Sequence, residues 1–175
     1  MKKFFNATTI TAIGMILVAA LSRLIPGQLP NFNPIMALAI FGGASIADKR
    51  LALIVPLAAM FISDIFLGFH ATILAVYLSI AISVLIGNAI RNRVNGFSVV
   101  GASLAGSVIF FIITNFAFWL AYCDLSFNSL VAAYTAAIPF FRNAILGDIV
   151  FTALMFGSFA LAGKYLPRLA RVSAK

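Results

Sequence analysis

The stretch 51–90, LALIVPLAAMFISDIFLGFHATILAVYLSIAISVLIGNAI, decides how this chain folds. It contains two apolar runs separated by Gly68-Phe69-His70, and Asp64 is its only carboxylate. A helix needs about 20 apolar residues to cross the hydrocarbon core of a bilayer. Basic residues flank the stretch at both ends, at Lys49-Arg50 and at Arg91. The stretch therefore predicts a hairpin of two transmembrane helices whose free ends lie on the same side of the membrane.

The composition of the whole chain agrees with a membrane protein. Of its 175 residues, 63% are hydrophobic and 9% are charged, against roughly 45 to 50% and about 25% in a soluble domain. Lys and Arg number 12, against 4 Asp and Glu. In so apolar a chain this excess indicates cytoplasmic loops rather than a nucleic acid partner. The single cysteine, Cys123, excludes an internal disulfide and a Cys-rich metal site.

Apolar runs outside the hairpin, bounded by Gly, Pro, Asn and charges, predict four more helices. We take the first as a retained helix rather than a cleaved signal peptide, because 18–24 offers no clean cleavage site. The piece 123–142 contains Pro139 and is expected to form a partial or surface-lying helix. Residues 1–175 are thus expected to form one all-α domain of six transmembrane helices: Thr8–Ile25, Pro34–Ala47, Leu51–Leu67, Ala71–Ile90, Ser98–Tyr122 and Asn143–Ala162.

The basic residues orient this bundle, since Lys and Arg in short loops stay cytoplasmic. With both termini cytoplasmic, the outer regions hold only Arg23 and Arg142. The inner regions then hold the other ten: Lys2, Lys3, Lys49, Arg50, Arg91, Arg93, Lys164, Arg168, Arg171 and Lys175.

In this topology nearly all the polar residues lie in the outer half, and the inner halves of the helices are expected to be almost purely apolar. Ionisable groups at membrane depth are costly and usually face the bundle interior or a water-filled cavity. Asp64 and Asp148 lie within predicted helices, and Asn115 and Trp119 share a helix face. The predicted substrate-binding residues are Asn31, Asn33, Asp64, His70, Asn115, Trp119, Arg142, Asn143 and Asp148.

A purely structural role is the alternative for several of these residues. Asp64 with Arg142, and Asp148 with Arg23, are the expected cross-helix ion pairs, and such pairs also serve only to fix helix packing. Asn115 is equally consistent with an interhelical hydrogen bond.

The sequence contains no catalytic motif. It has one His and few carboxylates, whereas metal catalysis needs several such ligands at one point. No Gly-rich phosphate loop is present. We therefore expect no enzyme, no catalytic residue, no metal and no cofactor, and energised uptake would need a partner or a gradient.

Three stretches carry a resemblance to a known family: 31–44 (NFNPIMALAIFGGA), 56–70 (PLAAMFISDIFLGFH) and 134–148 (YTAAIPFFRNAILGD). They resemble small bacterial membrane proteins described as candidate transport proteins. That family is similar to the S components of energy-coupling-factor (ECF) transporters, six-helix proteins that capture a small solute near the outer face. The resemblance implies a multi-pass protein of the bacterial cytoplasmic (inner) membrane with an outward-facing pocket.

The resemblance also bears on partners. S components often carry small residues four apart on the first helix, where they dock on an energising module; Ile16 interrupts that pattern here. We expect a transport protein that binds a small polar or aromatic, vitamin-like solute, with the loop from Pro26 to Asn33 as a lid. Its expected partners are the lipid bilayer, the solute and either an energising transporter module or a larger membrane complex. The alternatives are a structural or assembly subunit of a larger membrane complex and a solitary proton-coupled carrier, with an intramembrane enzyme last.

Overall fold

The computed structural model describes residues 7–165, and the side chains of residues 14–161. This part of the chain is helical and contains no strand, which confirms the all-α fold class. A 3₁₀ turn, Arg91–Arg93, follows the fourth helix. The six α-helices are α1 Ala7–Arg23, α2 Ile35–Ser45, α3 Lys49–Leu67, α4 Ile73–Ile90, α5 Gly96–Tyr122 and α6 Phe127–Tyr165.

Four of these helices are long and apolar enough to cross a membrane, namely α3, α4 with its 3₁₀ turn, α5 and α6. They indicate a membrane-embedded protein. The described apolar part of α1, Gly14–Arg23, and the whole of α2 are shorter. At 1.5 Å per residue the 11 residues of α2 extend about 16 Å, roughly half of the hydrocarbon core.

The short helix α2 lies at the centre of the bundle. Every residue from Ile35 to Ala44 is buried, and α2 contacts all five other helices. A helix that is apolar on all sides has to be surrounded by other apolar groups. Here the other helices supply that surround, so α2 is shielded by protein over its whole circumference.

Two glycines allow α2 and α4 to approach closely. A Cβ on Gly43 would overlap the backbone of Val84, and a Cβ on Gly87 would overlap the carbonyl oxygen of Ile40. Small residues permit this backbone contact between membrane helices. Beyond it, the guanidinium of Arg91 donates to the carbonyl oxygens that end α2, those of Ala44 (3.3 Å) and Ile46. The α2–α4 pair is therefore held together by backbone contact along the two helices and by the Arg91 hydrogen bonds at the end of α2.

The last helix differs from the prediction. α6 runs without a break through Pro139 for 39 residues, about 58 Å, so the expectation of a partial or surface-lying helix in 123–142 is wrong. Packing against α5 explains why: the Tyr134 hydroxyl donates to the Ile112 carbonyl oxygen (2.7 Å), and Phe141 stacks on Phe111 with centroids 4.4 Å apart. These contacts offset the cost of a proline within a helix, about 3 kcal/mol.

The helices alternate in direction and so define two ends of the bundle. We call them the His70 end, where α1, α3 and α5 finish, and the Arg91 end, where α2 and α4 finish. Arg142 and Asn143 were expected in a loop at the His70 end, and Asp148 one to two turns into a helix; all three lie in the interior of α6.

Candidate functional site

A cavity of about 270 Å³ lies at the His70 end, among α1, the loop that follows it, the start of α2, and α3 to α6. Arg23 and the apolar side chains of Met36, Phe110 and Phe118 form part of its wall. Five of the nine predicted site residues also line this His70-side cavity: Asn31, Asn33, His70, Asn115 and Asp148.

Asp148 is the buried acidic group of this cavity. It is 3% exposed, and its Oδ2 accepts a hydrogen bond from the Ser107 hydroxyl over 2.6 Å. The described residues give it no ion-pair partner, so the expected pair with Arg23 is wrong. A carboxyl group held in an apolar bundle by one neutral donor is poorly compensated. It therefore has capacity for a further donor from a bound molecule.

Asp64 has a different environment beside the cavity. Arg23 contacts its Oδ1 at 2.7 Å, and the Tyr77 hydroxyl donates to its Oδ2 at 3.1 Å. Arg23 also reaches the Ser63 hydroxyl. The expected pair of Asp64 with Arg142 is wrong because Arg23, at the end of α1, lies directly beside α3, whereas Arg142 is exposed on α6. Asp64 thus fixes Arg23 in the cavity wall and does not itself line the cavity.

The loop between α1 and α2 supplies the two other asparagines near Asp148. Asn31 adopts a left-handed backbone with φ 64°, and Asn33 Oδ1 accepts from the backbone N–H of Ile35 at the start of α2 (3.1 Å). A Cβ on Gly147 would lie 3.2 Å from Cα of Phe32. The loop therefore packs tightly on α6, one residue away from Asp148.

Asn115 and His70 contribute from α5 and from the α3–α4 turn. Asn115 Nδ2 donates to the Phe111 carbonyl oxygen within α5 (2.7 Å), which leaves its amide oxygen as an acceptor. His70 Nδ1 lies 2.9 Å from Thr72 Oγ1, and the ring is exposed. The site thus combines a carboxyl group, amides and an imidazole.

The other predicted residues are not brought to this cavity. Trp119 Nε1 donates to Ser129 Oγ (3.0 Å) and to the Ser126 carbonyl oxygen (3.3 Å), so Trp119 ties the end of α5 to the start of α6. Arg142 is exposed, and Asn143 is half-buried elsewhere on α6.

Buried hydroxyl groups extend the site beyond the predicted residues. We call Ser83, Ser103, Ser107, Asp148 and Thr152 the polar seam; each is at most 3% exposed. The expectation that the Arg91-end halves of the helices are almost purely apolar is therefore wrong, since Ser83, Ser103 and Thr152 are buried there. The spacing of these residues in the sequence could have indicated the polar seam. Ser103 and Ser107, like Asp148 and Thr152, are four residues apart and share a helix face.

Comparisons with curated proteins and with solved structures found no match. The sequence profile of a family described as a family of unknown function, DUF6580, matches residues 3–169. None of these comparisons shows a similarity to ECF S components. Since the match covers nearly the whole chain, the chain belongs to the DUF6580 family of unknown function.

Proposed function

We propose that this protein is an integral membrane transport protein that binds a small polar solute in the His70-side cavity. The observation that carries the proposal is Asp148, a buried carboxyl group in the cavity wall whose hydrogen-bond partner in the described part of the chain is the neutral Ser107. A buried acid of this kind is costly to the fold, and polar residues at membrane depth commonly mark a solute pathway.

The cavity restricts the solute in size and chemistry. Its volume of about 270 Å³ lies just below the roughly 300 to 1,000 Å³ of sites for drug-sized ligands, so the solute is small. Asp148 and the amide oxygen of Asn115 accept hydrogen bonds, and Phe118 forms an apolar wall. The site suits a compact molecule with N–H or O–H donors and an apolar or aromatic part.

The proposal includes six crossings, cytoplasmic termini and a cavity that opens outward from the bacterial cytoplasmic membrane. The charges of the described chain support this orientation, because Lys49, Arg50, Arg91 and Arg93 lie at the Arg91 end, and basic residues favour the cytoplasmic side. At the His70 end Arg23 is neutralised by Asp64. Transport would be driven either by an energising module, as in an S component, or by a proton exchanged at Asp148 in a solitary carrier.

A second candidate is a structural subunit of a larger membrane complex. The closed ion pair of Arg23 with Asp64 favours it, because a purely structural protein has its charges internally compensated. That function predicts a stably co-purifying protein and no bound solute, which separates it from the first.

The test is purification from native membranes, followed by mass spectrometry of small molecules released on denaturation. We expect a molecule that is enriched over mock-purified membranes and that is lost in Asn115→Leu, which removes an amide from the cavity at similar volume. Asn128→Leu, an exposed position on α6, is the matched control and should retain the molecule. Equal retention in both variants would rule out this cavity as the binding site.

A further inference from the structure

A second, larger cavity opens at the Arg91 end of the bundle. It has a volume of about 1,040 Å³ and lies between the first half of α5 and the last half of α6, beside the end of α2. Arg91, Asn95 and Phe156 form part of its wall, and so do the seam residues Ser103 and Thr152. We call it the Arg91-side cavity.

Ser103 and Thr152 are the unusual groups of this cavity. They are 1% and 2% exposed, and neither hydroxyl has a hydrogen-bond partner among the described residues. Buried hydroxyl groups are normally paired, because an unpaired one loses its hydration without compensation. Two such groups in one cavity wall point to a ligand that pairs with them.

The two cavities are separated by little more than one helical turn. Ser103 lies one turn from Ser107 on α5, and Thr152 lies one turn from Asp148 on the antiparallel α6. Because Ser107 and Asp148 are hydrogen-bonded to each other, Ser103 and Thr152 lie at the same level, about 6 Å beyond them. That thickness is small compared with the roughly 30 Å hydrocarbon core.

We propose that the Arg91-side cavity is the second half of the solute pathway, with Ser103 and Thr152 as its solute contacts. The partition between the halves is the Ser107–Asp148 hydrogen bond together with Ile40, which packs against Gly106. The proposal rests on the proposed function, since the solute it admits is the one bound at the His70 end.

The wall of this cavity selects an uncharged solute. Arg91, the cation of its wall, lies at the Arg91 end and donates to the carbonyl oxygens of Ala44 and Ile46, whereas the two unpaired hydroxyls, about two helical turns deeper along α5 and α6, are neutral. The solute contacts are therefore hydroxyl groups beside an aromatic ring, Phe156. This chemistry fits a neutral amide or alcohol, because a desolvated anion at the depth of Ser103 and Thr152 would contact neutral groups and would lie one turn from the Asp148 carboxyl group.

Thiol accessibility tests the cavity without knowledge of the solute. In a Cys123→Ser background, Ser103→Cys and Thr152→Cys are treated with a membrane-impermeant methanethiosulfonate from either face of oriented vesicles. Arg93→Cys marks the Arg91 face. We expect both cysteines to react from that face only. Ser79→Cys is the matched control: Ser79 is equally buried, lines neither cavity, and its hydroxyl bonds to the Ala75 carbonyl oxygen.

Labelling as slow as that of Ser79→Cys would show that the cavity does not admit a water-soluble reagent and would overturn the pathway. Labelling from the His70 face would overturn the partition. If either seam variant fails to reach the membrane, the labelling rate of Ala153→Cys is measured instead, because Ala153 is exposed in the same cavity wall. None of these labelling rates depends on solute binding at Asp148. A failure of the proposed function, which is tested by solute retention, is therefore distinguishable from a failure of this proposal.

The solute class is tested with two matched probes, benzamide and benzoate. Benzamide is expected to slow labelling of Ala153→Cys from the Arg91 face, and benzoate is not. Adding Thr152→Val, which replaces the hydroxyl by a methyl group, should weaken the benzamide protection about tenfold, as expected for one lost hydrogen bond. Equal protection by benzoate, or undiminished protection after Thr152→Val, would overturn the assignment of a neutral solute to these hydroxyls.

Discussion

At the scale of single residues, the two buried aspartates show how one residue type acquires two roles. Asp64 is held by Arg23 and by the Tyr77 hydroxyl, so its acceptors are used within the fold. Asp148 accepts a hydrogen bond from the neutral Ser107 hydroxyl. The sequence identified both aspartates as buried and significant, but partner choice depends on how neighbouring helices are rotated and offset, which a single sequence does not specify.

Asp64→Asn is predicted to lower the free energy of unfolding by about 3 kcal/mol, because it leaves the mostly buried Arg23 without a counter-charge. Arg142→Gln, at an exposed position, should change stability by no more than about 0.5 kcal/mol. Denaturation of the purified protein in detergent measures both. A loss from Arg142→Gln as large as that from Asp64→Asn would contradict the observed pairing.

Unlike Asp64→Asn, Asp148→Asn should not lower the free energy of unfolding substantially. The amide oxygen can still accept from Ser107 while the buried acid is removed, so we expect unfolding stability to stay within about 1 kcal/mol or to rise. Solute retention should be lost. A variant that is strongly destabilised would instead show that Asp148 is a structural residue.

At the scale of elements, α2 and α4 depend on backbone contact. Gly43→Ala and Gly87→Ala place a methyl group where backbone atoms of the partner helix already lie, and we predict losses at the upper end of, or above, the roughly 1 to 3 kcal/mol typical of overpacking. Gly101→Ala is the control, since no atom lies within 4 Å of its Cβ position. There the helix propensity of alanine should stabilise the protein by up to about 1 kcal/mol. Thermal unfolding distinguishes the two cases, and equal shifts would contradict the packing.

The α5–α6 turn is predicted to respond to acid. Hydrogen bonds from the Ser129 side chain, and from the backbone and hydroxyl of Ser126, lower the pKa of Asp124. Its stabilising effect is therefore complete above the unfolded pKa of about 3.9 and is lost as the pH falls through the lower folded value. The single tryptophan, Trp119, bonds to the same turn.

Emission from Trp119 should therefore shift below about pH 4. Asp124→Asn should abolish most of the shift, and an unchanged shift in that variant would exclude Asp124 as its source.

Helix positions were largely predictable, whereas the role of Pro139 was not. Apolar runs between charged or turn residues fixed α3, α4 and α5 to within about two residues, because membrane helices must satisfy their backbone internally. For α6, Pro139 predicted a break, because proline usually interrupts a helix. The aromatic and hydrogen-bonded contacts of 127–142 with α5 prevailed, and such long-range packing is not visible locally.

At the scale of the whole molecule, a short buried helix is enclosed by five others, and two cavities lie at opposite ends of the polar seam. The sequence predicted polarity concentrated at one end. The acidic and amide groups of the His70-side cavity lie at that end, but the buried hydroxyls of the polar seam continue towards the Arg91 end. It did not predict the larger Arg91-side cavity, because isolated serines and threonines in membrane helices usually bond to their own backbone and give little signal. The cavity arises where α5 and α6 meet the end of α2, a property of the assembled bundle.

Native mass spectrometry of the intact protein tests the central claim most directly. Wild-type protein and Asp124→Asn, which makes the same chemical change in an exposed loop, should each carry a small bound molecule, and Asp148→Asn should lack it. Binding of the same molecule to Asp148→Asn with unchanged occupancy would contradict the claim that the buried acid of the His70-side cavity holds the solute.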